Sequence, residues 1–168
     1  PSAAAGEDAV VIRPGALLSP SHARRVAAHE LEAHVLPRIA ARGESLGLFR
    51  TGFRRSGEEE EARALVSEHP RGCLHAAQRR ELALRHRAAL AVRAGASFSE
   101  AVGVLSAAGA PLEQAVELGL RAVRGGGLAR EIVYLPAYVA VRAAFAVEPE
   151  LESYFRRGRA SLAGARLL

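Results

Sequence analysis

Apolar residues return every three or four positions over most of this chain, and a strand pattern stands out in one place. Ala9-Val10-Val11-Ile12-Arg13 is a short β-branched run ended by Pro14-Gly15, which predicts a strand near the start. Ser19-Pro20 reads as an N-cap and first helical residue. The helix it opens should run from Pro20 to about Arg42 and stop at Gly43. Pro37 falls inside that helix and predicts a kink or break. Glu44 to Ser56 is a glycine-containing loop. Ser56 with Glu59 resembles a capping box, so the next helix is expected from Gly57 to about Glu68, ended by Pro70-Arg71-Gly72. Leu82, Leu84, Ala88, Leu90 and Val92 place a helix over Gln78 to Ala94. Ser97-Phe98-Ser99-Glu100 is a second capping box, before Ala101 to Ala108. Pro111 opens a helix to Arg124, and Gly125-Gly126-Gly127 breaks the chain. A long apolar helix follows from Arg130 to about Val147, kinked by Pro136, and Pro149 starts a last one reaching about Gly158. The predicted fold class is mainly α, with one or two short N-terminal strands. No internal repeat is evident.

Composition narrows the picture. At 168 residues the chain is read as one domain able to bury a sizeable core. Pro1 to Asp8 is expected to be a mobile leader, followed by a single catalytic-type domain over residues 9–168. Methionine is absent even from position 1, which suggests a processed or excised piece of a longer protein. With 49% hydrophobic and 24% charged residues, disorder is not expected. No apolar run approaches the ~20 residues of a membrane span, and the start lacks the plan of a signal peptide. The single Cys73 excludes an internal disulfide and a cysteine-cluster metal site; a reducing cytoplasm fits it best. The net charge of +5 is carried entirely by arginine. Those arginines are spread over amphipathic helices without aromatic interleaving, so solvated faces are expected and no nucleic-acid partner.

Candidate chemistry lies in His29-Glu30-Leu31-Glu32-Ala33-His34. Neutral imidazoles are good zinc ligands, and a glutamate beside the first can take a proton from water held at the metal. The spacing is unusual. Zinc-peptidase helices carry H-E-x-x-H, but here the second histidine comes five residues after the first. On an ideal α-helix that leaves the two side chains roughly 140° apart. Both reach one ion only if the turn carries an extra residue, so a π-bulge or distortion is expected between His29 and His34. The alternative is two unrelated histidines, one towards the core and one towards solvent.

A catalytic zinc usually takes three protein ligands and keeps one open position. The run Glu58-Glu59-Glu60-Glu61 on the following helix offers the third. Acidic residues at a helix start ordinarily favour the dipole and meet solvent, which is expected for two or three of the four. Ala64 and Leu65 lie three and four residues beyond Glu61, which puts Glu61 nearer the buried face than Glu58. It is the preferred ligand, with Glu60 in reserve. His22, His69, His75 and His86 read as surface or structural, and Cys73 near His75 has no orienting third group.

The order of a short strand, a helix with H-E-x-x-x-H-V-L, an acidic helix and a helix after R-G-G-G containing V-Y-L resembles a zinc-metallopeptidase family named for its Q-E-G-L-P or T-E-E-G-L-A motif. That family includes the microtubule-associated tyrosine carboxypeptidases and the bacterial flavohaemoglobin-expression-modulating proteins. The resemblance covers roughly Val10 to Phe145. Family members are longer, so the chain looks like their C-terminal catalytic part. The resemblance implies His29 and His34 as ligands and Glu30 as general base. It aligns the T-E-E-G-L-A segment with Glu59 to Ala64, putting the glutamate before the glycine on Glu61. The stretch from Gly126 to Leu135 is similar to the family's G-G-x-T-K-D-x-x-Y-L. By that analogy Arg130 would bind a substrate carboxylate and Tyr134 would donate to a developing oxyanion; a helix cap and a core tyrosine is the other reading. Three departures stand out. Glu32-Ala33 replaces a Gly-Thr-like pair, Ala62 replaces the glycine after the motif glutamate, and Tyr134-Leu135-Pro136-Ala137 has lost the arginine of Y-L-R-G.

The expected function is a zinc-dependent, carboxypeptidase-like metallopeptidase using one Zn²⁺, acting in the cytoplasm on a peptide or protein C-terminal tail, with neither nucleic acid nor membrane as partner. Two other readings stay open: a metal-binding but inactive module, and a metal-free helical interaction domain.

Overall fold

The computed structural model describes residues 3–125 and 131–168. It is mainly helical, with two short antiparallel N-terminal strands. The chain divides into two compact units, Pro1–Leu74 with Ala137–Leu168, and His75–Pro136. In the first unit β1 (Ala3–Ala5) pairs with β2 (Val10–Ile12), Ala4 opposite Val11. β1 lies in the stretch expected as a leader. It is tied down twice: Ala5 N–H donates to Glu30 Oε2 at 2.8 Å, and Arg38 Nη1 donates to the Gly6 carbonyl at 2.7 Å.

The helical rod that follows is continuous but not uniform. It runs through α1 (Pro20–Val26), a π-helical segment (Ala27–Val35) and α2 (Leu36–Ala41). Ser19 caps it, its side chain accepting from His22 N–H at 3.2 Å. Where the segment ends, Leu36 N–H donates to the Leu31 carbonyl five residues back, the bond that defines π geometry. Pro37 does not break the rod. It sits in the first turn of α2 and has no N–H to give the carbonyls of Ala33 and Glu32, four and five residues back. A side chain takes its place. Arg63 Nη2 donates to the Ala33 carbonyl and, at 3.4 Å, to that of Glu32. Burial pushes the Arg63 pKa down to about 10, with Glu60 and Glu152 opposing, so the guanidinium keeps its charge at neutral pH.

Arg63 belongs to α4 (Ser56–Glu68), which packs along the π-helical segment. Small residues line both elements: Ala28 and Ala33 on one, Ala62 and Ala64 on the other, all fully buried. The expected Ser56–Glu59 capping box is not formed. Ser56 lies within α4, behind Arg55 in a left-handed conformation (φ 65°). Glu59 instead accepts the Leu162 N–H at 2.5 Å. The unit's core gathers Phe49 of α3 (Leu48–Thr51), Ala62 of α4, Val141, and Leu151 and Phe155 of α9 (Leu151–Arg157), with Leu162 of α10 (Leu162–Ala165).

The second unit comprises α5 (Ala76–Arg93), α6 (Phe98–Ala107) and α7 (Leu112–Arg124), around Leu84, Ala88, Leu105, Ala115 and Leu118. The Ser97–Glu100 capping box is present, Ser97 N–H donating to Glu100 Oε2 at 2.8 Å. α8 (Glu131–Val147), with Pro136 inside it, begins in this unit. Among the described residues no helix is long and apolar enough to cross a membrane.

Candidate metal centre

An i→i+5 hydrogen-bond pattern stacks residues five apart roughly above one another. The π-helical segment therefore turns His29 and His34 to one side, their ring centroids 5.3 Å apart. The expected distortion of the rod is present and spans Ala27–Val35. Facing the pair is Glu61 of α4. Its Oε2 lies 3.6 Å from His29 Nε2, and its Oε1 lies 3.8 Å from His34 Nε2. One donor atom from each of the three residues falls within 4.8 Å of the others. Ligands held at ~2.1 Å in a tetrahedron lie about 3.4 Å apart, so the set fits a divalent cation, and two imidazoles with one carboxylate is a zinc-like donor chemistry.

The four glutamates of the run are told apart by their partners. Glu58 pairs with Arg55 at 3.0 Å, Glu59 takes the Leu162 N–H at 2.5 Å, and Glu60 pairs with Arg159 at 3.2 Å. Solvation was expected for two or three of them, yet Glu59 and Glu60 are buried. Burial raises both their pKa values. Glu60, the reserve ligand, faces its arginine instead of the histidines. The position after Glu61 is Ala62, wholly buried in the core.

The two imidazoles have different surroundings. His29 Nδ1–H donates to Glu68 Oε1 at 2.7 Å, and Glu68 Oε2 accepts from Arg25 Nε at 3.1 Å. Burial of the His29 ring disfavours its charge, but the hydrogen bonds to Glu61 and Glu68 outweigh that and carry its pKa from 6.5 up to about 9. His34 is 5% exposed, and its Nδ1 has no hydrogen-bond partner among the described residues. Burial takes its pKa down to about 4, against the pull of Glu61 and with help from His29, Arg63 and Arg38.

Glu30 follows His29 on the π-helical segment, its carboxylate held by the Ala5 amide at 2.8 Å. Tyr134 is half-buried in the first turns of α8, within the second unit. Arg130 lies outside the described residues. Of the remaining histidines, His22, His69 and His75 are exposed, and His86 Nδ1 lies 3.1 Å from the Glu131 carbonyl. Glu68, Arg25 and Arg63 were not singled out as site residues from sequence. The signal for Glu68 was its place seven residues, two helical turns, beyond Glu61.

A cavity of about 560 Å³ in the first unit is lined by Glu32, Pro37, Arg63, Arg71, Phe145 and Arg156, among others, and not by the cluster. Its arginines are engaged: Arg71 with Glu32, Arg156 with Glu152 at 2.8 Å, and Arg63 with the Ala33 carbonyl. The donor chemistry is at the histidines.

No curated protein and no solved structure matches the chain. A family model described as microtubule-associated tyrosine carboxypeptidase matches residues 1–166. That description points to a carboxypeptidase-like hydrolase, and the chain belongs to the microtubule-associated tyrosine carboxypeptidase family.

Proposed function

We propose that the chain is a zinc-dependent carboxypeptidase that hydrolyses a peptide or amide bond at the C-terminal tail of a peptide or protein. The observation that carries this reading is the π-helical turn that brings His29 and His34 to Glu61 across a helix pair. Those three residues would hold the ion. Bound there, zinc would supply a Lewis acid and acidify a water towards pKa ~7. Glu30 would take a proton at its carboxylate and deliver it to the departing amine. The Ala5 amide on Glu30 Oε2 orients that carboxylate. Tyr134, by the family pattern, would donate to the developing oxyanion, and Arg130 would hold the terminal carboxylate of the substrate. A cytoplasmic setting agrees with the lone Cys73.

The test is Glu30→Gln. It should retain zinc at the wild-type stoichiometry and lose at least ~10²-fold in turnover of C-terminal peptide substrates, the usual contribution of acid–base catalysis. Turnover at the wild-type rate would refute the mechanism. A metal-binding but inactive module is the second reading. Ala62 in place of the motif glycine and Pro136-Ala137 in place of Arg-Gly favour it, and zinc uptake with no hydrolysis of any peptide by the wild-type protein would establish it.

A further inference from the structure

The two histidines of the cluster share a helix and a facing carboxylate but not their outer hydrogen bonds. His29 Nδ1 meets Glu68 Oε1 at 2.7 Å, well inside hydrogen-bond range. Glu68 is 0% exposed and sits in the last turn of α4, two turns beyond Glu61. A buried carboxylate is costly unless paired. Glu68 is paired on both sides: Oε1 takes the imidazole N–H, and Oε2 takes Arg25 Nε at 3.1 Å. With Oε2 accepting from Arg25, Glu68 serves as the acceptor on both oxygens, which assigns the proton on this bond to His29 Nδ1. That fixes the ring's orientation and leaves Nε2 as the nitrogen turned to Glu61, 3.6 Å away. His34 has no counterpart, because its Nδ1 lacks a partner among the described residues. Its place rests on burial and on the course of the π-helical segment.

We propose that Glu68, anchored by Arg25, is the positioning residue that fixes His29 as an Nε2 metal ligand. The proposal rests on the reading of His29, His34 and Glu61 as a metal site. Carboxylates behind a ligating histidine set its tautomer and raise its basicity, and their loss typically costs ~10–100-fold in metal affinity. Glu68 does this from the same helix that supplies Glu61. One element thus provides a donor and the brace for another donor.

The experiment uses zinc and the whole chain. Zinc affinity is measured by competition with a chromophoric chelator for wild type, Glu68→Gln, Glu68→Asp and Arg25→Gln, with thermal melting of each metal-free variant as the folding control. Glu68→Gln, equal in size, should bind zinc ~10–100-fold more weakly. Glu68→Asp, too short to span the gap, should resemble it, and Arg25→Gln should lose less. A second measurement needs no variant. In zinc-loaded wild type labelled with ¹⁵N-histidine, His29 should show a protonated Nδ1 with a downfield, slowly exchanging proton and a metal-coordinated Nε2. Coordination through Nδ1, or a folded Glu68→Gln that binds zinc as tightly as wild type, overturns the proposal while leaving the metal site standing. Wild type that takes up no zinc overturns the metal site itself.

Discussion

At the scale of single residues, two imidazoles of one helical turn titrate in opposite directions. Near neutral pH the metal-free protein holds His29 protonated between Glu61 and Glu68, its pKa carried up to about 9, and His34 neutral, its pKa lowered to about 4. A divalent ion needs the Nε2 of each ring free of a proton. Zinc uptake at pH 7 should therefore release about one proton from His29, besides any given up by a water on the ion. Loss of the His29 proton should by itself raise the apparent affinity about tenfold per pH unit up to the His29 pKa and add nothing beyond it. Calorimetry in buffers of different ionisation enthalpy counts that proton; release of none at pH 7 would show that His29 is already neutral. The same shifts set the stability of the metal-free fold. The raised His29 contributes stability that is full below 6.5 and is lost as pH climbs through about 9. The depressed His34 contributes stability that is present above 6.5 and is lost as pH falls through about 4. Denaturant midpoints of the metal-free protein should therefore decline on both sides of pH 6.5, towards about 9 and towards about 4. The sequence showed the candidate ligand types and their odd spacing, because both are local. It could not show which nitrogen of His29 is occupied, since that depends on Glu68, 39 residues along the chain.

At the scale of elements, the π-helical segment and α4 depend on each other. Spacing alone called for a distorted turn, and Pro37 suggested a kink. The missing link was how a proline could stand just beyond a π-helical segment without breaking the rod. The answer is Arg63, whose guanidinium takes up the carbonyls that Pro37 cannot serve. No pattern within the first helix could reveal it, because the donor comes from a different element. Arg63→Met keeps much of the side-chain length but removes every donor. Two carbonyls in a buried site would lose a charged partner, at ~1–3 kcal/mol for an unsatisfied group. Urea unfolding of the metal-free variant should show a loss of about 2–4 kcal/mol, and zinc affinity should fall with it because the turn that carries His34 is released. Unchanged stability would mean that the π-helical segment holds its course without α4. The missed Ser56–Glu59 box has a similar cause. The motif is locally sound, but Glu59 is drawn to the Leu162 amide, 103 residues away. Ser97–Glu100 meets no such competitor among the described residues and caps as its sequence predicts.

At the scale of the whole molecule, the end of the chain buttresses the helix that carries Glu61. Arg157 holds Glu44 through two hydrogen bonds of 2.9 and 2.7 Å, and Arg159 holds Glu60 at 3.2 Å. Backbone bonds join the same regions, Arg159 N–H to the Phe49 carbonyl at 2.9 Å and Phe53 N–H to the Arg159 carbonyl at 3.1 Å. With Leu162 on Glu59, successive carboxylates of α4 are thus neutralised or hydrogen-bonded from the last stretch of the chain, and Glu61 alone of the run faces the histidines. The crossing is made at Gly158, where φ is 155° and an added Cβ would lie 2.4 Å from the Phe49 carbonyl oxygen and 2.9 Å from the Ala41 Cβ. A side chain there meets backbone on one face and a buried alanine on the other, so neither can yield cheaply. Overpacking and a disfavoured backbone conformation each cost ~1–3 kcal/mol, and Gly158→Ala should destabilise the fold by about 3 kcal/mol in denaturant unfolding. The damage should reach the donors. With the crossing displaced, Glu59 and Glu60 lose the groups that compensate their burial, α4 shifts to hydrate them, and Glu61 moves off the histidine pair. Zinc affinity of Gly158→Ala should therefore drop at temperatures where most of the variant is still folded. If the variant lost stability but bound zinc as wild type does, the C-terminal stretch would matter to folding alone, and the position of Glu61 would be set entirely by the contact between α4 and the π-helical segment.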